Sequence, residues 1–128
     1  MIHGIGIDIV EIDRIKSAVD RLGNRFLERV FHPGEIEYSF RYHDPYTRLS
    51  ARFACKEAVA KSLGVGMFEL GAANIQVVNR EGGQPEISLY DRAKEVQDWK
   101  GVDRILISLS HGDQYAVAEA LAIRSQPN

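Results

Sequence analysis

Hydrophobic positions recur along this chain at two periods, and the changes of period divide it into elements. Over residues 2–10 isoleucines alternate with Gly4, Gly6 and Asp8, which predicts a short strand. Over residues 11–30 the period becomes helical. Ile12, Ile15, Val19 and Leu22 form one stripe, and Phe26, Leu27 and Val30 continue it beyond an interruption at Gly23 and Asn24. Phe31-His32-Pro33-Gly34 breaks that helix, residues 35–42 allow a short irregular one, and Asp44-Pro45 marks a further turn. The long helix that follows is the stretch around which the chain is organised, residues 51–66. Phe53, Ala54, Ala58, Val59 and Leu63 lie near a 3.6-residue spacing with no interior Gly or Pro, so an amphipathic helix is expected, stopped by Gly64.

Residues 64–71 read as a glycine-bearing loop. Residues 74–79 and 85–90 read as paired strands across the turn Arg80-Glu81-Gly82-Gly83-Gln84, with Pro85 tolerated at a strand's first position. Asp91 opens a helix to about Lys100, with Ala93, Val96 and Trp99 as its apolar positions, and Gly101 ends it. Residues 104–110 form the most strand-like run, followed by a turn at 111–114. Residues 115–123 carry helix-favouring alanines, but hairpin context after a strong strand favours a strand partner, which is preferred.

With 128 residues there is room for one domain with a real core, residues 1–124, and a polar, frayed tail at 125–128. The 45% apolar content is that of an ordinary globular protein, and the net charge of −2 excludes a generally basic, nucleic-acid-binding surface, so any polyanion site must be local. The lone cysteine, Cys55, allows no intrachain disulfide, fits a reducing cytoplasm, and reads as a small buried hydrophobe. No stretch is a signal peptide or approaches a membrane span.

Chemistry enters as local patterns. Glu57 and Lys61 are four apart and share a helix face, which fits a surface ion pair of small worth or a metal carboxylate beside a phosphate-facing cation. Asp8 at its strand's end either terminates the strand or supplies another metal or phosphate-site carboxylate. Arg14, Arg21, Arg25 and Arg29 make either a solvated face or a docking surface for an acidic partner. Gly64-Val65-Gly66 follows its helix, so it is not a P-loop. His111 is a turn histidine or a phosphate contact, and His32 and His43 carry no assigned chemistry.

Three blocks together resemble the holo-[acyl-carrier-protein] synthases, the small stand-alone 4′-phosphopantetheinyl transferases, over nearly the whole chain. They are Gly4-Ile-Gly-Ile-Asp8 with Arg14-Ile15, then Arg52-Phe53, Lys56-Glu57-Ala58 and Lys61 closed by Gly64-Val-Gly66, and Ser108-Leu-Ser-His111 with Tyr115-Ala116 and Ala118. Gly83-Gln-Pro85 also fits, while Ser62 stands where the family usually has Ala. The resemblance implies an α+β fold, a mostly antiparallel sheet packed against a long central helix. It implies transfer of 4′-phosphopantetheine from coenzyme A to a serine of apo acyl carrier protein, releasing adenosine 3′,5′-bisphosphate. By matched position Asp8 and Glu57 would hold Mg²⁺, Lys61 would act with them in catalysis, and Arg52, Lys61, Gly64, Gly66, Ser110 and His111 would contact coenzyme A. Arg14, Arg21 and Arg25 would dock the acidic carrier protein. A homotrimer with active sites between subunits is implied, with no nucleic-acid or membrane partner.

Overall fold

The long helix begins at Pro45, earlier than its apolar stripe predicts, because Asp44 caps it. The Asp44 carboxylate accepts from the Tyr46 N–H at 2.9 Å and from the Thr47 hydroxyl at 3.1 Å, and Pro45 occupies the first turn, where no N–H is needed. The structure is a computed structural model and describes residues 1–125, so most of the expected tail lies outside the described residues. In chain order the elements are β1 (Ile2–Glu11), α1 (Ile12–Leu22), α2 (Asn24–Val30), α3 (Pro33–Ser39), α4 (Pro45–Leu63), α5 (Met67–Leu70), a short 3₁₀ turn (Ala72–Asn74), β2 (Ile75–Val78), β3 (Glu86–Leu89), α6 (Asp91–Trp99), β4 (Val102–His111) and β5 (Tyr115–Arg124). The fold is α+β. One antiparallel sheet runs β1-β5-β4, and β2 and β3 form a separate antiparallel hairpin. Residues 115–123 are therefore strand, since pairing on both edges outweighs the helical preference of alanine.

The sheet packs on α4 with its small residues inward. Gly4 and Gly6 of β1 and Ala116, Ala118, Ala120 and Ala122 of β5 face the helix, while Ile5, Ile7 and Ile9 point outward and are exposed. A Cβ on Gly4 would overlap the Ser62 carbonyl, and one on Gly6 would overlap the Ala58 carbonyl. The glycines of β1 are thus set by contact with the helix backbone, as strand glycines often are. The Ser62 hydroxyl, the departure from the family pattern, donates back to the Val59 carbonyl at 2.7 Å and is satisfied within α4.

Several expectations are corrected. Helix α4 is covered on most of its circumference rather than along one stripe, burying Leu49, Ala54, Cys55, Ala58, Val59 and Leu63 and also Ser50, Arg52, Lys56 and Ser62. Pro33 opens α3 instead of merely breaking α2, because His32 and Glu35 form a capping box around it. The loop expected at 64–71 contains α5, pinned by buried Met67 and Leu70. Trp99 lies in the last turn of α6 and is 80% exposed; Ala93, Val96 and Gln97 form the inner face instead. Leu22 likewise lies on the surface.

Lys56 is fully buried and is matched by an equally buried carboxylate. Its ammonium lies 2.5 Å from Glu35 Oε1 and also donates to the Ala72 and Ile75 carbonyls. Glu35 accepts from the His32 and Val77 N–H groups at 3.0 and 2.9 Å, so α3, α4 and β2 meet at one ion pair. Beside it, burial and the negative charge of Glu35 push the Cys55 thiol up to about 12 from an ordinary 9.0. Ionisation then favours the unfolded chain, so this group's stabilising contribution is complete below about pH 9 and lost as pH climbs towards 12. The folded protein is expected to resist a thiol reagent such as DTNB at pH 8 and to react promptly once denatured. Fast labelling of the native state would contradict the buried assignment.

Candidate active site

Strand β1 ends beside the middle of α4, and the glycine contact fixes how close they come. A Cβ on Gly6 would sit 2.9 Å from Lys61 Cβ, so the Lys61 stem lies directly on the strand. From there its ammonium donates to the Ile7 carbonyl at 2.9 Å and stands 3.4 Å from Asp8 Oδ1. Asp8 is on the helix side of the sheet with Gly4 and Gly6, because side chains two apart on a strand share a face. Glu57 joins them from one helical turn before Lys61. Its carboxyl is held above the ordinary carboxylate range, chiefly by burial and next by the charge of Asp8, with Lys61 opposing. Asp8 and Glu57 thus flank Lys61, one across the strand–helix contact and the other one helical turn away. Lys61 bridges to Asp8 across the strand, and among the described residues it makes no salt bridge to Glu57, its helical neighbour.

Two carboxylates on a partly open surface suit a hard cation that takes one or two protein oxygens and fills its shell with phosphate oxygens and water, as Mg²⁺ does. No cluster of three or more His, Cys, Asp or Glu side chains stands ready for a metal among the described residues, so the protein alone supplies only part of a coordination shell. Gly64 extends the row beyond Lys61. Positions 57, 61 and 64 lie along one face over roughly 10 Å. Gly64 takes the left-handed conformation (φ +77°) that ends α4, and Gly66 precedes α5.

The other expected contacts lie elsewhere in the chain. Arg52 precedes Glu57 by five residues, about 140° around the helix. It is 3% exposed, with its guanidinium bonded to Asn79 and the Arg48 carbonyl and lying 4.4 Å from the Tyr38 ring, and its Nε has no partner. His111 pairs with Ala116, which pairs with Val10, so it shares Asp8's side of the sheet but stands two strands across and two residues along, on the order of 12 Å away. Ser110 aligns with Val117 and Ile9 on the opposite face. The chain thus places Asp8, Glu57, Lys61 and Gly64 along one strand–helix contact, and leaves Arg52, Ser110 and His111 apart from them. A cleft of about 490 Å³ between β3, α6 and β4, lined by Gln84, Pro85, Glu86 and Arg104 among others, contains neither carboxylate.

Arg14 and Arg21 on α1 and Arg25 on α2 are all exposed, turned outward because buried Ile12, Ile15 and Leu27 hold the inner faces of these helices. Sequence reasoning missed two features here. The Ile7 carbonyl that anchors Lys61 leaves no trace in residue identity. Glu35 had a legible signal, its place three residues after His32 at a helix start, but nothing in the spacing linked it to Lys56.

The pattern of the 4′-phosphopantetheinyl transferase superfamily matches residues 4–120. A holo-[acyl-carrier-protein] synthase of Moorella thermoacetica is 43% identical over 116 residues, covering 91% of this chain and 90% of its own. The structure superposes on that of Helicobacter pylori holo-[acyl-carrier-protein] synthase in complex with coenzyme A with a TM-score of 0.82 at 35% identity, covering 93% of this chain and 99% of that one. For the Neisseria meningitidis holo-[acyl-carrier-protein] synthase the TM-score is 0.87 at 30% identity, covering 97% and 100%. No helix among the described residues is long and apolar enough to cross a membrane.

Proposed function

The chain belongs to the 4′-phosphopantetheinyl transferase superfamily, and from that premise we propose that Asp8, Glu57 and Lys61 are the centre of its chemistry. The activity is that of a holo-[acyl-carrier-protein] synthase: 4′-phosphopantetheine passes from coenzyme A to a serine of apo acyl carrier protein. The serine oxygen bonds to the phosphorus that carries pantetheine, the bond from that phosphorus to the bridging diphosphate oxygen breaks, and adenosine 3′,5′-bisphosphate leaves. The observation that supports the residue assignment is the Lys61 ammonium standing 3.4 Å from Asp8 Oδ1, with Glu57 one helical turn from Lys61 on the same helix. Incubating the protein with apo acyl carrier protein, coenzyme A and Mg²⁺, then weighing the carrier, tests the activity. A carrier that gains no phosphopantetheine mass under varied conditions would overturn it.

Asp8 and Glu57 would hold Mg²⁺, which when bound offsets charge developing on the diphosphate oxygens. Lys61, half exposed, offers its ammonium to the same oxygens as a point charge. The proton of the incoming serine would pass to a Glu57 carboxylate oxygen or to a water beside it. Gly64 and Gly66 present backbone to the nucleotide without side chains in the way. Arg52 would meet a coenzyme A phosphate by leaving Asn79, its unpartnered Nε being one donor to spare.

The separation of Ser110 and His111 from the carboxylates supports a site completed by a neighbouring copy, and the outward face of the sheet supports where that copy sits. Ile5, Ile7 and Ile9 are more than half exposed there, beside exposed Leu106, a larger run of apolar side chains than a free surface usually carries. We read the assembly as a homotrimer. Sedimentation is expected to give a trimer for the native chain and a smaller species for Ile7→Glu; a native monomer would refute it. A lone free cysteine fits work in the cytoplasm, and fractionation placing the protein in an oxidising compartment would contradict that.

Arg14, Arg21 and Arg25 form the docking face for the acidic carrier. Arg14→Glu is expected to raise the carrier KM by about tenfold with little change in kcat, and more visibly at low salt. An unchanged KM would remove Arg14 from that face.

A further inference from the structure

The Lys61 ammonium occupies the ground a cation would want. It is anchored on the Ile7 carbonyl at 2.9 Å, a backbone group that does not titrate, and from that anchor it stands 3.4 Å from Asp8 Oδ1. The anchor is built in, because the strand has glycine at position 6 and the Lys61 stem rests against it. Asp8 is only 20% exposed and its positive neighbour 52%, so the lysine side chain is the part free to turn away. The Asp8 carboxylate is thereby screened by a cation belonging to the chain itself. A divalent ion arriving at Asp8 meets that positive charge, and at such distances like charges disfavour one another even at a partly solvated surface.

We propose that Lys61 is a resident counter-cation that competes with the divalent metal for Asp8 in the free enzyme and gives way when the diphosphate of coenzyme A arrives. This rests on Asp8 and Glu57 being the metal's carboxylates. A diphosphate offers the lysine a more highly charged partner than Asp8, so substrate draws the ammonium off the carboxylate and opens it to the metal. Metal and coenzyme A then bind with positive coupling, which by linkage works equally in both directions. The free enzyme carries little metal, and the site fills as the donor substrate enters. Lys61 is on this account both a contact to the substrate and the residue that sets the order in which the site assembles.

The test is Mn²⁺ binding by the full chain, read from the EPR signal of free Mn²⁺, for the native protein and Lys61→Met, each with and without coenzyme A. Native protein is expected to bind Mn²⁺ about tenfold more tightly with coenzyme A than without, within the usual range of such couplings. Lys61→Met without coenzyme A is expected to bind Mn²⁺ about tenfold more tightly than native protein, and to gain less from coenzyme A. Lys94→Met, which removes a lysine paired with Asp98 on α6, should leave Mn²⁺ affinity within about twofold and excludes a mere change of net charge. Free Lys61→Met binding Mn²⁺ no more tightly than native protein would overturn the proposal while leaving the metal assignment standing. No Mn²⁺ binding by any form, with or without coenzyme A, would overturn both. If circular dichroism finds Lys61→Met unfolded, Lys61→Gln keeps a donor for the Ile7 carbonyl without the charge and is expected to give the same result.

Discussion

Asp8→Asn and Glu57→Gln are each expected to lower kcat for phosphopantetheine transfer by about 10²–10³, the loss that follows when several kcal/mol of charge stabilisation at a phosphoryl group is withdrawn. Both substitutions keep the side chain's shape and remove only the charge. The fold should survive, because Asp8 and Glu57 raise each other's energy when both are ionised. Burial and the charge of Asp8 already push the Glu57 carboxyl upward, so neutralising either partner relieves repulsion. Melting temperatures of both variants should match the native protein or exceed it slightly. Asp8→Asn should also leave the Lys61 bond to the Ile7 carbonyl in place, since that bond is independent of the carboxylate. Carrier KM should stay near the native value, because Arg14, Arg21 and Arg25 lie on other helices. Steady-state kinetics over a Mg²⁺ titration make the measurement. Either variant turning over within about threefold of the native enzyme at limiting Mg²⁺ would remove that residue from the site.

The second large effect is structural. Glu35→Ala is expected to cost about 3–5 kcal/mol of unfolding free energy, as breaking one side of a buried ion pair typically does. That is a large share of the roughly 5–15 kcal/mol a small domain has. Lys56 would be left with only the Ala72 and Ile75 carbonyls in an environment with no access to solvent, and the His32 and Val77 N–H groups would lose their acceptor. Burial already pushes the Lys56 ammonium downward and Glu35 opposes that, so removing Glu35 removes the group that keeps the charge tolerable. The double variant Glu35→Leu with Lys56→Met should recover much of the loss, since no unpaired charge then remains buried. Urea unfolding checks both: the midpoint should fall for the single variant and return part of the way for the double one. A single variant losing less than about 1 kcal/mol would mean that water or a rearranged partner reaches Lys56.

These two sets of residues also differ in how far they could be read in advance. Strands β1 and β4 were legible because isoleucine-rich runs with a period of two line up on one face of a strand and on no face of a helix, whereas β5, with its helix-favouring alanines, was readable as strand only from its hairpin position after β4. Helices α1 and α2 were legible from one stripe broken at Gly23, which takes a positive φ where they part. The alternation in β1 was readable as strand but not in sense. Its isoleucines face outward and its glycines face the helix, the reverse of the usual pattern, because the glycines are needed where β1 touches the α4 backbone. Trp99 departs from its expected place for a related reason. Its spacing from Val96 fits an inner face, yet α6 ends there and the indole lies in solvent.

What the sequence by itself determined was the order of the principal strands and helices, the helix spacing of Glu57 and Lys61 up to the stop at Gly64, and the family through its three blocks, all properties of short-range spacing. What only the tertiary structure decided was which residues meet across long intervals of chain. Asp8 and Lys61 are fifty-three positions apart and are joined because two glycines let a strand lie against a helix backbone. Lys56 and Glu35 find each other inside the core, Arg52 turns to Asn79, and His111 stands two strands from Asp8. Local spacing constrains a side chain's face, whereas its partner depends on how close two backbones approach, and that is set by packing throughout the fold.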